Sequence, residues 1–274
     1  MTAYCSTPVT LRLELLNSAG TVTNSLDLMD QANGYRVGSF DVGFPAVRAI
    51  TSPLPTRDGE YDTSRYYGPR TVTVTGAFVP SPAGSRQKAL SALTWWCQPR
   101  LRPRVVYALD GDSAALWLNL RGSQLSAPSS NPQVTDFSVS WVAPDPIARA
   151  LTTTQITVNP GATGTATNNG TYRAWPILDI YGPCTNPAVI WTSPAVGQVV
   201  FTGLTVATGH YVEVDCRAQT ALTDANPTQS VYPNIDFANT RWAGIEPGAN
   251  TLQFTAATSS SPSRVVVTWA DSSI

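Results

Sequence analysis

Histidine occurs once, at position 210, and lysine once, at position 88, in a chain of 274 residues. A metal centre built on several imidazoles is therefore excluded, as is any Ser-His mechanism that does not run through His210. Charge is scarce too: Asp, Glu, Lys and Arg make up 13% of the chain, against a usual level of about 25%. Thr, Ser, Asn, Gly and Pro must then cover much of the outside, a surface suited to β-sheets and protein contacts. The formal net charge is −1, and all 17 basic residues except Lys88 are arginine. The planar guanidinium fork favours interfaces, and a GC-rich codon supply produces the same bias. The one basic cluster, Arg100, Arg102 and Arg104, is too small for a nucleic-acid footprint.

Long apolar runs are also missing, so no stretch approaches the roughly 18 residues needed to cross a bilayer. Met1 to Ser6 is polar and leads directly into a strand pattern, without the charged start and apolar run of a secretory signal. Synthesis and folding in a cytoplasm, with no membrane insertion, is the expectation. The four cysteines, at 5, 97, 184 and 216, form no C-x-x-C pair, which removes zinc and thioredoxin-type readings. Cys97 and Cys216 alternate with apolar neighbours and read as small buried hydrophobes. A bridge between Cys184 and Cys216 is conceivable on two strands, and nothing in the spacing requires it.

What the chain does have is strand periodicity. Leu11, Leu13 and Leu15 alternate with Arg12 and Glu14. Further strands are expected at Val22 to Met29, Val37 to Val42, Ala46 to Thr51, Thr71 to Val79, Arg104 to Leu109, Leu116 to Gly122 and Gln133 to Val142. The Asp110-Gly111-Asp112 turn joins two of these. One helix stands out from Ser85 to Gln98, with Ser85 as cap and Ala89, Leu90, Leu93 and Trp96 or Cys97 recurring at three and four. Between Ile50 and Thr71, prolines at 53, 55 and 69 remove backbone donors, so that segment is expected to resist a regular ladder and act as an extended arm.

Pro144, Asp145 and Pro146 are the expected hinge between domains at 1–146 and 147–274. The second part reads as short strands at even spacing: Thr152 to Val158, Thr171 to Tyr181, Ala188 to Thr192, Gln198 to Leu204, His210 to Arg217, Thr251 to Ala256 and Arg264 to Ala270. That is the pattern of an antiparallel sandwich or jelly roll. Gly161 to Gly170 lacks phosphate-loop spacing and a lysine, and reads as a loop. Asn169-Gly170-Thr171 reads as a hairpin turn.

Chemistry is sparse. Glu213 and Asp215 share one strand face at a spacing of about 7 Å, within reach of a glycosidase pair, but a solvated polar face is what an alternating strand produces by default. No nucleophile elbow, zincin helix or calcium loop occurs. Trp175, Trp191, Trp242 and Trp269 fall in the second part. Trp175 and Trp269 read as core, whereas Trp242, in a polar neighbourhood, is the candidate for glycan contact.

In order along the chain, GFPAVRAI, DGEYDTSRYYGPRTVTVTGAF, SRQKALSALTWWCQPR, WVAPDP, NNGTYRAWPILDIYGPCTNP, RWAGIEPGANTLQF and RVVVTWAD resemble the distal tail proteins of long-tailed siphophages. The resemblance implies a mainly β chain: an N-terminal β-sandwich or split barrel with one helix and a long arm, an α+β arrangement, then a galectin-like antiparallel β-sandwich. It further implies a non-enzymatic virion protein at the distal end of the tail, without cofactor, metal or catalytic residues, assembled in the host cytoplasm. Its partners would be itself, as a homo-hexamer ring, the tail-tube protein, the tail-tip protein and receptor-binding proteins. DNA would pass through the ring without specific binding. The expected ring-interface arm comprises Pro53, Pro55, Arg57, Asp58, Tyr61, Arg65, Tyr66 and Tyr67. Two alternatives stand beside this: a carbohydrate-binding adhesin module, and a tube-type minor tail protein.

Overall fold

The alternation of Leu11 and Leu13 with Arg12 and Glu14 becomes strand β1, Pro8–Leu16, with both leucines fully buried. The computed structural model describes residues 8–58, 60–79, 85–109, 111, 114–128, 133–225 and 228–274. Met1 to Ser6 with Cys5, and Asp110 and Asp112 of the expected turn, lie outside the described residues. The chain divides into two compact units, one running to Leu151 and the other from Thr152 to Ser273.

In the first unit β1 is followed by β2 (Val22–Asp27), β3 (Tyr35–Val42), β4 (Val47–Pro53), β5 (Glu60–Tyr67) and β6 (Arg70–Phe78). Helix α1 (Arg86–Trp96) comes next, then β7 (Arg104–Leu109), β8 (Leu116–Asn119), β9 (Arg121–Ser126), β10 (Thr135–Ala143) and β11 (Ala148–Ala150). The strands order as β2-β1-β7-β8-β11 in one sheet and β3-β6-β10-β9 in the other. Leu11, Leu13, Val105, Tyr107 and Leu118 from the first sheet share one core with Phe40, Val72, Val74, Phe137, Val139 and Trp141 from the second. Ser85 caps α1 by accepting from the Lys88 amide, and Ala89, Leu93 and Trp96 turn into that core. Burying side chains of this size is worth roughly 1.5–3 kcal/mol each.

Pro144 to Pro146 lie inside this unit. One more short strand, β11, follows them and pairs with β8, so the division falls after Leu151 and not at Pro146. Asp145 braces the turn by accepting from the Ile147 amide and pairing with Arg149.

The second unit contains β12 (Thr154–Val158), β13 (Thr163–Asn168), β14 (Ile177–Tyr181), β15 (Cys184–Thr185), β16 (Ala188–Ser193) and β17 (Gly197–Val200). It continues with β18 (Thr205–Val206), β19 (Tyr211–Asp215), β20 (Thr220–Thr223), β21 (Gly248–Thr255), β22 (Thr258–Ser259) and β23 (Arg264–Trp269). Two sheets, β12-β23-β14-β19-β20 and β13-β21-β16-β17, face each other across a core that includes Leu178, Val214, Val267, Trp191, Phe254 and Trp269. The short sheet β18-β15-β22 is separate. Cys184 and Cys216 are buried free thiols, while Cys97 is only partly buried at the C-cap of α1.

Two loop expectations are corrected. Thr163–Asn168 is a six-residue strand paired along its whole length with β21. Its threonines suit a pleated surface, and Gly164 admits close packing, because a Cβ there would lie 2.6 Å from Val158. Asn169-Gly170-Thr171 is no tight hairpin turn: Gly170 lies against the Ser272 backbone, where a Cβ would come within 1.9 Å of its carbonyl oxygen.

On β1, Glu14 is only 3% exposed. Arg104 donates to its Oε2 from both Nε and Nη2 at 2.7 Å, and Arg12 Nε stands 2.6 Å from Oε1. Removing one member of such a buried pair strands the other's charge. Glu14→Ala is expected to lower the stability of the first unit by about 2 kcal/mol, discounted for the partial exposure of both arginines. Calorimetry of the variant checks this through the midpoint of that unit's transition.

Candidate functional site

Val47, Ala49 and Thr51 alternate with Arg48, Ile50 and Ser52 along β4, and both alternating sets are exposed. Glu60, Tyr61, Arg65 and Tyr66 on β5 are exposed as well. β4 and β5 pair antiparallel, from Val47 opposite Tyr67 to Pro53 opposite Glu60, and form a two-stranded sheet of their own. The expectation that this segment would resist a ladder is thus overturned. Pro53 is the last residue of β4, and Pro55, Arg57 and Asp58 lie in the connecting turn, where a missing donor breaks nothing. The arm is a hairpin whose register shifts by a bulge between Ile50 and Thr51.

At the base of the hairpin, the Gly68 amide donates to the Ala46 carbonyl at 2.8 Å, and the Phe44 and Tyr67 rings meet edge to face at 5.9 Å. Beyond this base, none of the described side chains of β4 and β5 is buried. Phe44, Val47, Ile50, Tyr61 and Tyr66 are between 51% and 66% exposed. An isolated two-stranded hairpin is at best marginally stable in water, and a group of exposed apolar and aromatic side chains of this kind marks a contact surface. The structure therefore brings Tyr61, Arg65, Tyr66 and Tyr67 onto one strand. It adds Phe44, Val47, Arg48 and Ile50, which the sequence reading had left out. The legible signal was the aromatic and threonine content of EYDTSRYY, which suits a strand.

Of the two strand carboxylates that the sequence places on one face, neither is seen in an acid–base arrangement with the other. Asp215 turns to its own chain and accepts from the amides of Arg217 at 2.8 Å and Ala218 at 2.9 Å. Glu213 instead stands directly across from Asp179 on the neighbouring strand. Desolvation, and then the Glu213 charge, raise the Asp179 carboxyl above its ordinary value, and its Oδ1 is enclosed without a hydrogen-bond partner. Beside them the Tyr181 and Tyr211 rings lie 5.2 Å apart, with the Arg264 guanidinium 4.3 Å above Tyr181. His210 Nδ1 lies 3.2 Å from Asp224 Oδ2. Among the described residues no cluster of three or more His, Cys, Asp or Glu is placed to hold a metal.

Trp242 is not the exposed residue its neighbourhood suggested, for it packs partly buried against the core of the second unit. The half-exposed aromatics of this unit are Tyr232 and Phe237.

Like charges directly opposed on adjacent strands destabilise a sheet. Because the folded-state pKa of Asp179 is raised, the folded protein binds its proton more readily than the unfolded chain does. The group therefore costs stability above that pKa, and the cost fades as pH falls through it. Asp179→Asn is expected to raise the melting midpoint at about pH 7, by an increment that shrinks on acidification towards about pH 4. Thermal melts across that range check the sign, and a pH-independent increment would contradict it.

No family model matches the sequence, and no curated protein does. Solved structures do. The Dit protein (gp19.1) of phage SPP1, described as a paradigm of the hub adsorption apparatus in phages infecting Gram-positive bacteria, superposes with a TM-score of 0.68 at 12% identity. The match covers 95% of this chain and 98% of that one. A chain of the phage P2 baseplate in its activated conformation with calcium gives a TM-score of 0.46 at 9% identity, covering 94% and 97% of the two chains. Over 95% of its length, this polypeptide has the fold of the SPP1 Dit protein.

Proposed function

We propose that this protein is a structural component of the tail tip of a long-tailed phage, in which copies of the chain close into a ring, with the β4–β5 hairpin of each copy gripping its neighbour. The hairpin's two exposed faces carry the proposal. A closed ring of one chain needs a heterologous contact, one patch meeting a different patch. An apolar arm with two open strand edges supplies one half of such a contact by strand addition or by side-chain burial. The Dit fold supports the same reading, since the SPP1 protein that shares it is described as part of a hub adsorption apparatus.

Six-fold closure is the symmetry that the family resemblance implies for such a ring. In that arrangement the ring docks on the tail-tube protein on one side and the tail-tip protein on the other, and receptor-binding proteins are recruited on its periphery. A net charge of −1 suits a conduit for DNA, because a strongly basic wall would retain phosphates through counterion release. Asp215 accepts from the Arg217 and Ala218 amides, which favours a structural over an acid–base role for it.

The test is a double change on the arm, Ile50→Asp with Tyr66→Asp. Both positions are exposed, so the melting midpoint should hardly move. Ring assembly, measured by light scattering and by incorporation into tails, should weaken by at least about tenfold. Normal assembly of the double variant, or a wild-type protein that stays monomeric at every concentration and is missing from tails, would overturn the proposal.

A further inference from the structure

After β20 the chain runs along the open edge of β17 and is tied to it repeatedly. The Asp236 amide donates to Val200 O at 2.9 Å, Thr240 Oγ1 accepts from the Val200 amide at 3.1 Å, and Arg241 and Gln198 exchange two backbone bonds. Ile235 is buried and bridges to Phe201. Asp236 closes the turn by accepting from the amides of Ala238 and Asn239 and from Asn239 Nδ2 at 2.7 Å. Tyr232, 47% exposed, and Phe237, 51% exposed, keep their ring centroids 4.9 Å apart at a tilt of 51°.

The chain that follows Phe237 walls a cleft of ≈ 230 Å³, with Val196, Gln198, Ala238, Asn239 and Arg241 among its lining residues. Clefts that hold drug-sized ligands run from about 300 to 1,000 Å³. Its polar equipment is specific. Gln198 Nε2 is spent on the Asn239 carbonyl, and Asn239 Nδ2 on Asp236, which leaves both amide oxygens as acceptors. The exposed Arg241 side chain makes no ion pair or hydrogen bond among the described residues.

The geometry points to a binding subsite for an acidic sugar ring, a hexuronate unit of a polysaccharide. Its C–H face would lie on the Tyr232–Phe237 pair and its carboxylate would pair with Arg241. Tyrosine and phenylalanine offer flat apolar faces to such a ring. The guanidinium fork matches a carboxylate, and the Gln198 and Asn239 oxygens accept from hydroxyls. The subsite does not rest on ring assembly, since none of these residues belongs to the hairpin.

Saturation-transfer difference NMR on the full-length protein tests this, with D-glucuronate, D-galacturonate and D-glucose as probes. Transfer to the ring protons of at least one uronate should exceed transfer to glucose by about two- to fivefold, the scale of an exposed ion pair. Phe237→Ala and Tyr232→Ala should abolish the signal at an unchanged melting midpoint, and Arg241→Ala should reduce the uronate to the level of glucose. The subsite is refuted by no transfer from wild type to either uronate, by equal transfer to glucose, or by signals that survive all three substitutions. Since Ile50→Asp with Tyr66→Asp should leave the uronate signal intact, failure of the ring and failure of the subsite read out separately.

Discussion

The backbone ladder between β4 and β5 is the one set of hydrogen bonds on which the functional account depends. Both units bury their aromatic and aliphatic side chains in sandwich cores, and those cores need nothing from outside. The hairpin differs. Its register is fixed by pairing from Val47 to Pro53, yet the side chains from Val47 to Ser52 and at Glu60, Tyr61, Arg65 and Tyr66 are exposed, so at these positions the ladder holds the arm in shape without a core beneath it. Apolar groups such as Ile50, Val47 and Tyr66 in that position gain only when a second surface removes them from water, roughly 1.5–3 kcal/mol for each one fully covered.

Elements governed by local chemistry were legible in the sequence. Helix α1 was readable because Ser85 caps it, Ala89 and Leu93 recur at four, and Pro99 stops it. The β1 leucines and the Thr71 to Val79 alternation were readable because a half-buried strand writes its period directly into the chain. The hairpin was misread for an equally local reason. Prolines 53 and 55 signal a broken ladder, and only the turn position of Pro55 and the terminal position of Pro53 show that the ladder ends before they matter.

Long-range features were not legible. Gly164 looks like a loop residue until Val158 and Ile156 are found where its Cβ would stand. Trp242 lies among polar neighbours in sequence and is covered by a core assembled from distant strands. The meeting of Asp179 with Glu213 depends on the register between β14 and β19, and the strand spacing of Glu213 and Asp215 does not reveal that Asp215 accepts from the Arg217 amide.

The most direct measurement is amide hydrogen exchange over residues 47–67, followed from dilute protein to assembled tail tips. The account predicts that these amides exchange readily in the dilute protein and gain protection on assembly by at least about tenfold, while core strands such as β14 and β23 stay protected throughout. Protection of the hairpin that is already complete in dilute protein and does not change on assembly would contradict the claim that it grips a neighbouring copy.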